Sequence, residues 1–254
     1  MTVEALVRRD RALAGSGLAG LALLAWLYLF RMERMSMMDV TAAMAMPGDR
    51  DAGRFLLTFL MWAVMMVAMM VPAASPMILT FATINRRRAA AGTPAVPTAV
   101  FLAGYLVIWS AFSLAAAALQ GALQAAALLA PATLTVTPLV GGALLIAAGL
   151  YQLTPLKYAC LARCQSPLGF ILSEWREGPR GAFVMGLRHG AFCVGCCWAL
   201  MALLFVAGVM NLLWVAAIAA FVLVEKLVPR ARAVSWSAGA VFLGWGGWML
   251  LRAL

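Results

Sequence analysis

The sequence predicts an all-α protein: a polytopic transmembrane helical bundle of about seven spans, with its N-terminus in the cytoplasm. Of the 254 residues, 65% are apolar, and the mean hydropathy is +0.97. Such a chain has too little polar surface to cover a soluble globule, whereas a lipid-facing bundle needs none. Several apolar runs approach the roughly 20 residues that an α-helix needs to cross hydrocarbon, and none alternates like a barrel strand. We therefore predict a single integral membrane domain over residues 1–254.

Basic residues separate the apolar runs and predict the orientation of the bundle. Arg8, Arg9 and Arg11 precede the first run, which ends at Phe30 without a small-residue cleavage site. We therefore predict an uncleaved first helix rather than a signal peptide. Because lysine and arginine are retained on the cytoplasmic side, their excess between later runs places the N-terminus inside. The predicted spans are residues 16–30, 55–84, 101–119, 139–153, 182–210, 212–224 and 234–251.

Residues 31–54 form a methionine-rich segment, predicted as an outer loop between the first two spans. Its six methionines are Met32, Met35, Met37, Met38, Met44 and Met46. Thioethers are soft ligands, so such a loop can collect Cu(I) outside the membrane. The alternative is an amphipathic stretch lying on the bilayer surface.

The second span carries more methionines and two prolines. At helical spacing, one side of it is lined by Met61, Met65, Met66, Met69 and Met70. Methionine is also ordinary packing filler, so this stripe alone does not define a site. Pro72 and Pro76 each remove a backbone donor and are expected to interrupt and kink the helix. The segment should therefore face protein or a cavity rather than lipid.

Residues 156–181 are predicted as an amphipathic connection on the cytoplasmic side, with Lys157 marking the membrane surface. Cys160 and Cys164 stand four residues apart and share a face if this segment is helical. They are interpreted as a thiol pair, as two metal ligands, or as packing residues. Further along, Glu225 at the end of the sixth run is expected to pair with Lys226 or Arg230.

The fifth span contains the segment around which the chain is organised, HGAFCVGCCWALM from His189 to Met201. It holds the protein's one histidine and three of its five cysteines. On a helix, His189, Cys193, Cys196 and Cys197 project from one face. Thiolates beside an imidazole suit Cu(I), with Zn(II) as the alternative ion. Because thiols on the cytoplasmic side stay reduced, this position favours metal ligation over a disulfide.

Three blocks of this sequence together resemble a bacterial family described as predicted metal-binding integral membrane proteins, a domain of unknown function. They are MWAVMMVAMMVPAASP, YQLTPLKYACLARCQSP and GLRHGAFCVGCCWALM. The resemblance implies residence in the bacterial inner membrane and a metal site, with copper handling as the proposed role. The candidates it carries over are the cysteines of the second block, the histidine and cysteines of the third, and the methionines of the first.

We therefore predict an integral membrane protein that binds or delivers Cu(I), with a membrane cuproprotein or its assembly factors as recipient. The predicted ligands are His189, Cys193, Cys196, Cys197, Cys160, Cys164, Met65, Met66 and Met69. One alternative is a thiol-redox membrane protein that relays electrons between Cys193 and Cys196 and the Cys160 and Cys164 pair. The other is a non-catalytic assembly subunit whose cysteines only pack. The sequence shows no set of nucleophile, base and acid and no glycine-rich phosphate loop, so it does not favour an enzyme. No basic, aromatic-interleaved domain favours nucleic acid as a partner.

Overall fold

The computed structural model describes the backbone of residues 3–43, 51–130 and 133–253, and the side chains of residues 12–33, 52–130 and 133–253. Within these ranges the regular elements are all helices, so the all-α class is confirmed there. The helices are α1 (Val3–Ala43), α2 (Asp51–Ala90), α3 (Thr98–Ala125), α4 (Pro138–Gln152), α5 (Pro155–Gln165), α6 (Pro167–Glu174), α7 (Gly178–Ala202), α8 (Leu204–Ala207), α9 (Leu212–Leu227) and α10 (Ala231–Ala253).

In the described part of the chain, five helical segments are long and apolar enough to cross a membrane. They are Ala12–Glu33, Ala52–Ala90, Thr98–Ala125, Gly178–Ala207 and Ala231–Ala253. A sixth is possible if α4 and α5, bent by 66° at their junction, form one broken span. The predicted count of seven is therefore not confirmed. The sixth predicted run forms α9, whose 16 residues reach only about 24 Å, less than the roughly 30 Å of hydrocarbon.

The backbone of α1 continues past its apolar run to Ala43, so the first half of the methionine-rich segment is helical. Of its methionines, Met32 packs against the core. The side chains of the other five lie outside the described residues. The position of this segment outside the membrane stays a prediction.

Helix α2 runs through both of its prolines without a break between Asp51 and Ala90, so the expected interruption does not occur. A proline leaves the carbonyl four residues earlier without its helical donor. For Pro72 that carbonyl belongs to Ala68, and the indole Nε1 of Trp26 donates to it at 3.1 Å. For Pro76 it belongs to Pro72, and the Ser75 hydroxyl donates to it at 2.7 Å. Both unpaired acceptors are thus satisfied by side chains.

Glycines allow α3 and α7 to pack backbone against backbone. A Cβ added at Gly104 would meet the carbonyl oxygen of Phe183, and one added at Gly186 would meet that of Phe101. Small residues at a helix contact permit this approach in membrane bundles. The close contact brings the first third of α3, which carries Tyr105, against the part of α7 just before its cysteines.

A buried ion pair, and not the expected surface pair, holds α5 against α9. Lys157 is fully buried, and its Nζ lies 2.7 Å from Oε1 of Glu225, which is itself buried. Ser235 of α10 donates to the same carboxylate at 2.6 Å, and Gln152 accepts from Lys157. The predictions that Lys157 marks the surface and that Glu225 pairs with Lys226 or Arg230 were wrong. The physical reason is that the bend after α4 turns Lys157 into the bundle.

Candidate metal centre

Three buried cysteines lie within two turns of α7. Cys193, Cys196 and Cys197 are each at most 2% exposed. The thiols of Cys196 and Cys197 donate to the Cys193 carbonyl oxygen at 3.1 and 2.9 Å. These bonds hold two sulfurs alongside the helix, on the side that faces the rest of the bundle. The spacing read from the sequence therefore does bring the thiols to one buried face.

Helix α2 contributes a thioether to this cluster. The Cys197 Sγ lies 3.9 Å from the Sδ of Met70, which is fully buried. With metal–sulfur bonds of about 2.3 Å, as in zinc thiolates, sulfurs around a three-coordinate ion lie about 4 Å apart. The observed separation is compatible with two ligands of such an ion, and it is also the distance of an ordinary packing contact between two sulfurs. Met65, Met66 and Met69 are also buried on α2, but it is Met70 that contacts Cys197.

Cys193 is contacted by polar groups from two other helices. The Lys226 Nζ of α9 donates to the Cys193 Sγ at 2.9 Å. The Tyr105 hydroxyl of α3 lies 3.2 Å from the same sulfur and 3.1 Å from the Met70 carbonyl oxygen. Tyr105 and Lys226 are both buried. Helices α2, α3, α7 and α9 thus meet around one thiol.

Helix α5 places its two cysteines at different depths. Cys164 is buried, and its thiol interacts with those of Cys193 and Cys196. Cys160 is partly exposed, and its Sγ lies against Gly195, where an added Cβ would stand 2.8 Å from it. Cys164 therefore joins the α7 cluster, while Cys160 lies at its edge. All five cysteines are free thiols.

His189 lies one turn before Cys193 on α7 and is 1% exposed. Its ring stacks on that of Tyr105 with centroids 5.4 Å apart, and Phe170 packs against it edge-on at 5.5 Å. Both ring nitrogens are buried without a hydrogen-bond partner. A buried imidazole without partners is costly. The lone pair of the neutral ring is therefore free to bind a metal ion or another ligand, because no neighbouring side chain donates a hydrogen bond to it.

Among the side chains of residues 12–33, 52–130 and 133–253, no three from His, Cys, Asp or Glu are arranged to hold one metal ion. The cysteines and His189 alone therefore do not form a ready three-ligand site. The Met70 thioether provides a further sulfur next to Cys197. A soft ion, for which thioethers are good ligands, suits this set better than a hard one.

Three residues of this cluster were not among the predicted ligands: Met70, Tyr105 and Lys226. Met70 was visible as part of the methionine stripe, but spacing on α2 alone does not tell which methionine meets α7. Tyr105 had a signal, since a hydroxyl inside an apolar run needs a partner. Lys226 was interpreted as a boundary residue, because the sequence does not show that the end of α9 lies inside the bundle.

The fold and this cluster together define a class: an all-helical protein, rich in apolar helices, whose buried core brings thiols and a thioether together. A family model named PpoB2 and described as a copper chaperone matches residues 59–249. Since this is most of the chain, the protein belongs to the PpoB2 copper chaperone family. No curated protein and no solved structure matches the chain. The predicted resemblance is confirmed as far as a copper-related family; the family's description says nothing of membranes or of an unknown function.

Proposed function

We propose that this protein is an integral membrane protein that binds Cu(I) between α2 and α7 and delivers it to a recipient cuproprotein or its assembly factors. The family supports copper binding or delivery, and the five apolar helices support residence in a membrane. The bacterial inner membrane is the proposed compartment.

The observation that carries this proposal is the contact between Cys197 and Met70, with Cys193 one turn away. It joins sulfurs from two helices that are far apart in sequence. Packing alone explains buried cysteine and methionine singly. It does not require that the nearby Cys193 sulfur also accept from a buried ammonium, or that the buried imidazole one turn before Cys193 lack a hydrogen-bond partner.

In the proposed site, Cys193, Cys197 and Met70 are the principal ligands. Cys164 and Cys196 stand beside them as exchange ligands, and His189 lies one turn away along α7. Neighbouring thiols allow a monovalent ion to pass from one ligand set to another by replacing one sulfur at a time. Delivery, as opposed to storage, needs such exchange. Met65, Met66 and Met69 lie on α2 before Met70 and are proposed as further thioether ligands. Cys160 is proposed to lie at the edge of the cluster.

The test is a Cu(I) titration against a competing chelator, with protein purified in detergent under reducing conditions. Wild type is compared with the Cys193→Ser/Cys197→Ser variant, and Cys160→Ser serves as the control because Cys160 lies at the edge of the cluster. We expect tight binding in wild type and in the control, and its loss in the double variant. Equal binding in all three proteins would contradict the proposed site.

A further inference from the structure

We propose that Lys226 is the charge-balancing residue of the copper site and that it makes the site selective for a monovalent soft cation over a divalent one. This inference rests on the proposed function, since it takes Cys193, Cys197 and Met70 as ligands. Lys226 itself binds no metal. It acts through Cys193, to whose sulfur its Nζ donates at 2.9 Å.

Lys226 is a buried lysine near the C-terminal end of α9. Its side chain is 6% exposed, at the end of a helix with a mostly apolar sequence. A buried ammonium is costly unless an anion or several acceptors compensate it. The neighbouring residue, Glu225, does not do so, because Lys157 and Ser235 engage its carboxylate. Among the residues that the structure describes, the hydrogen-bond acceptor of the Lys226 ammonium is the sulfur of Cys193.

The charges of the loaded site then decide which ion fits. Two thiolates contribute two negative charges, the Met70 thioether none, and Lys226 one positive charge. A monovalent ion brings the sum to zero, whereas Zn(II) leaves one uncompensated positive charge. The Lys157–Glu225 pair is neutral in sum. Because an uncompensated charge is unfavourable in an apolar core, the arrangement favours Cu(I) over Zn(II).

A contrasting view is that the ammonium competes with the incoming ion for Cys193. Two like charges near one sulfur repel, and Lys226 would then weaken Cu(I) binding. The two views predict opposite effects of removing the charge. Neutralising Lys226 lowers Cu(I) affinity if the residue balances charge, and raises it if the residue competes.

The experiment measures Cu(I) and Zn(II) affinities by chelator competition for wild type, Lys226→Gln and Lys226→Arg in detergent. Arg230→Gln is the matched control, since it removes the same charge from an exposed residue four positions away. Lys226→Gln should lower the Cu(I)-to-Zn(II) affinity ratio by at least about tenfold, or about 1.4 kcal/mol. Lys226→Arg and Arg230→Gln should keep the wild-type ratio within about threefold, or about 0.7 kcal/mol.

A second variant separates charge balance from a merely structural role. Cys197→Met replaces one thiolate with a neutral sulfur and should weaken Cu(I) binding while Lys226 is present. In the Lys226→Gln background the same change restores a sum of zero, so the double variant should bind Cu(I) more tightly than Cys197→Met alone. Helical circular dichroism of each variant checks folding. The affinities of the two Cys197→Met proteins are compared on protein whose helical content matches wild type.

The outcomes are distinct. If wild type binds no Cu(I), the proposed function itself fails. If wild type binds Cu(I) but Lys226→Gln leaves the affinity ratio unchanged or raises it, the proposal for Lys226 is overturned and the copper site stands. A double variant that binds no more tightly than Cys197→Met alone would overturn it equally.

Discussion

At the scale of single residues, the cluster depends on a few side chains that arrive from separate helices. Met70 is the clearest case, because its sulfur is the one that contacts Cys197, at 3.9 Å. Other methionines of α2 are buried to the same degree, such as Met77 at 1%. Burial alone therefore does not distinguish a ligand from a packing residue, whereas substitution does.

We predict that Met70→Leu weakens Cu(I) binding about tenfold, or about 1.4 kcal/mol, because it removes a sulfur while keeping the volume. Met77→Leu, on the same helix, is the control and should leave the affinity unchanged. Exchanges of this kind usually cost less than about 1.5 kcal/mol of stability, so both variants should fold. Chelator competition measures the affinities. Equal affinities for the two variants would remove Met70 from the site.

The ion pair between Lys157 and Glu225 gives a prediction about stability. Glu225→Gln should lower the free energy of unfolding in detergent by about 3–5 kcal/mol, because it leaves a fully buried ammonium without its counter-ion. Lys157→Met combined with Glu225→Leu should recover most of that loss. Glu174→Gln is the control, because it breaks a pair with Arg188 that is partly exposed. Its effect should be within about 1 kcal/mol.

That prediction fails if Glu225→Gln unfolds as wild type does, or if the double substitution is as unstable as the single one. The first result would mean that water or another group compensates Lys157. The second would mean that the carboxylate stabilises the fold through Ser235 or Gln152 and not through the lysine.

At the scale of elements, the contact between α3 and α7 positions the site. Gly104 and Gly186 let the two backbones meet, which puts the Tyr105 hydroxyl within 3.2 Å of the Cys193 sulfur. The sequence predicted both helices, the shared face of the cysteines and the interior position of the methionine stripe. It did not predict the partners of that face, because the register between helices depends on such close contacts and not on helical periodicity.

Gly104→Ala should force α3 away from α7, since the new methyl group would meet the carbonyl oxygen of Phe183. We expect a loss of about 1–3 kcal/mol of stability from overpacking and weaker Cu(I) binding as Tyr105 moves from Cys193. Gly121→Ala, in the same helix, is the matched control because nothing lies within 4 Å of the added atom. Thermal unfolding and chelator competition measure the two effects. If both variants match wild type, this contact does not position the site.

At the scale of the whole molecule, the sequence predicted the helical class but not the number of crossings. Hydropathy counts α4 and α9 as spans, although the predicted runs have only 15 and 13 residues and the helices 15 and 16. The bend between α4 and α5 also turns Lys157 inward, so a residue expected at the surface lies in the core. A one-dimensional pattern reports how apolar and how long a run is, and not where the chain bends or whether a short helix crosses the membrane.

Reporter fusions can determine the topology. With the N-terminus inside and seven crossings, a fluorescent protein inserted after Gly92 or after Pro229 should fold in the cytoplasm, and alkaline phosphatase fused after Arg252 should be active outside. If the α4–α5 pair crosses once and α9 does not cross, six crossings place the C-terminal reporter in the cytoplasm. Phosphatase that is inactive after Arg252 would therefore contradict the seven-span topology.

The central claim is that sulfurs from α2 and α7 hold one copper ion together. The most direct measurement is the X-ray absorption spectrum of the Cu(I)-loaded protein in detergent, compared with that of the Met70→Leu and Cys193→Ser/Cys197→Ser variants. We predict a first shell made of sulfur in wild type, with one sulfur fewer in Met70→Leu and no such shell in the double cysteine variant. A shell of nitrogen or oxygen in wild type, or a sulfur shell that survives both sets of substitutions, would contradict the account.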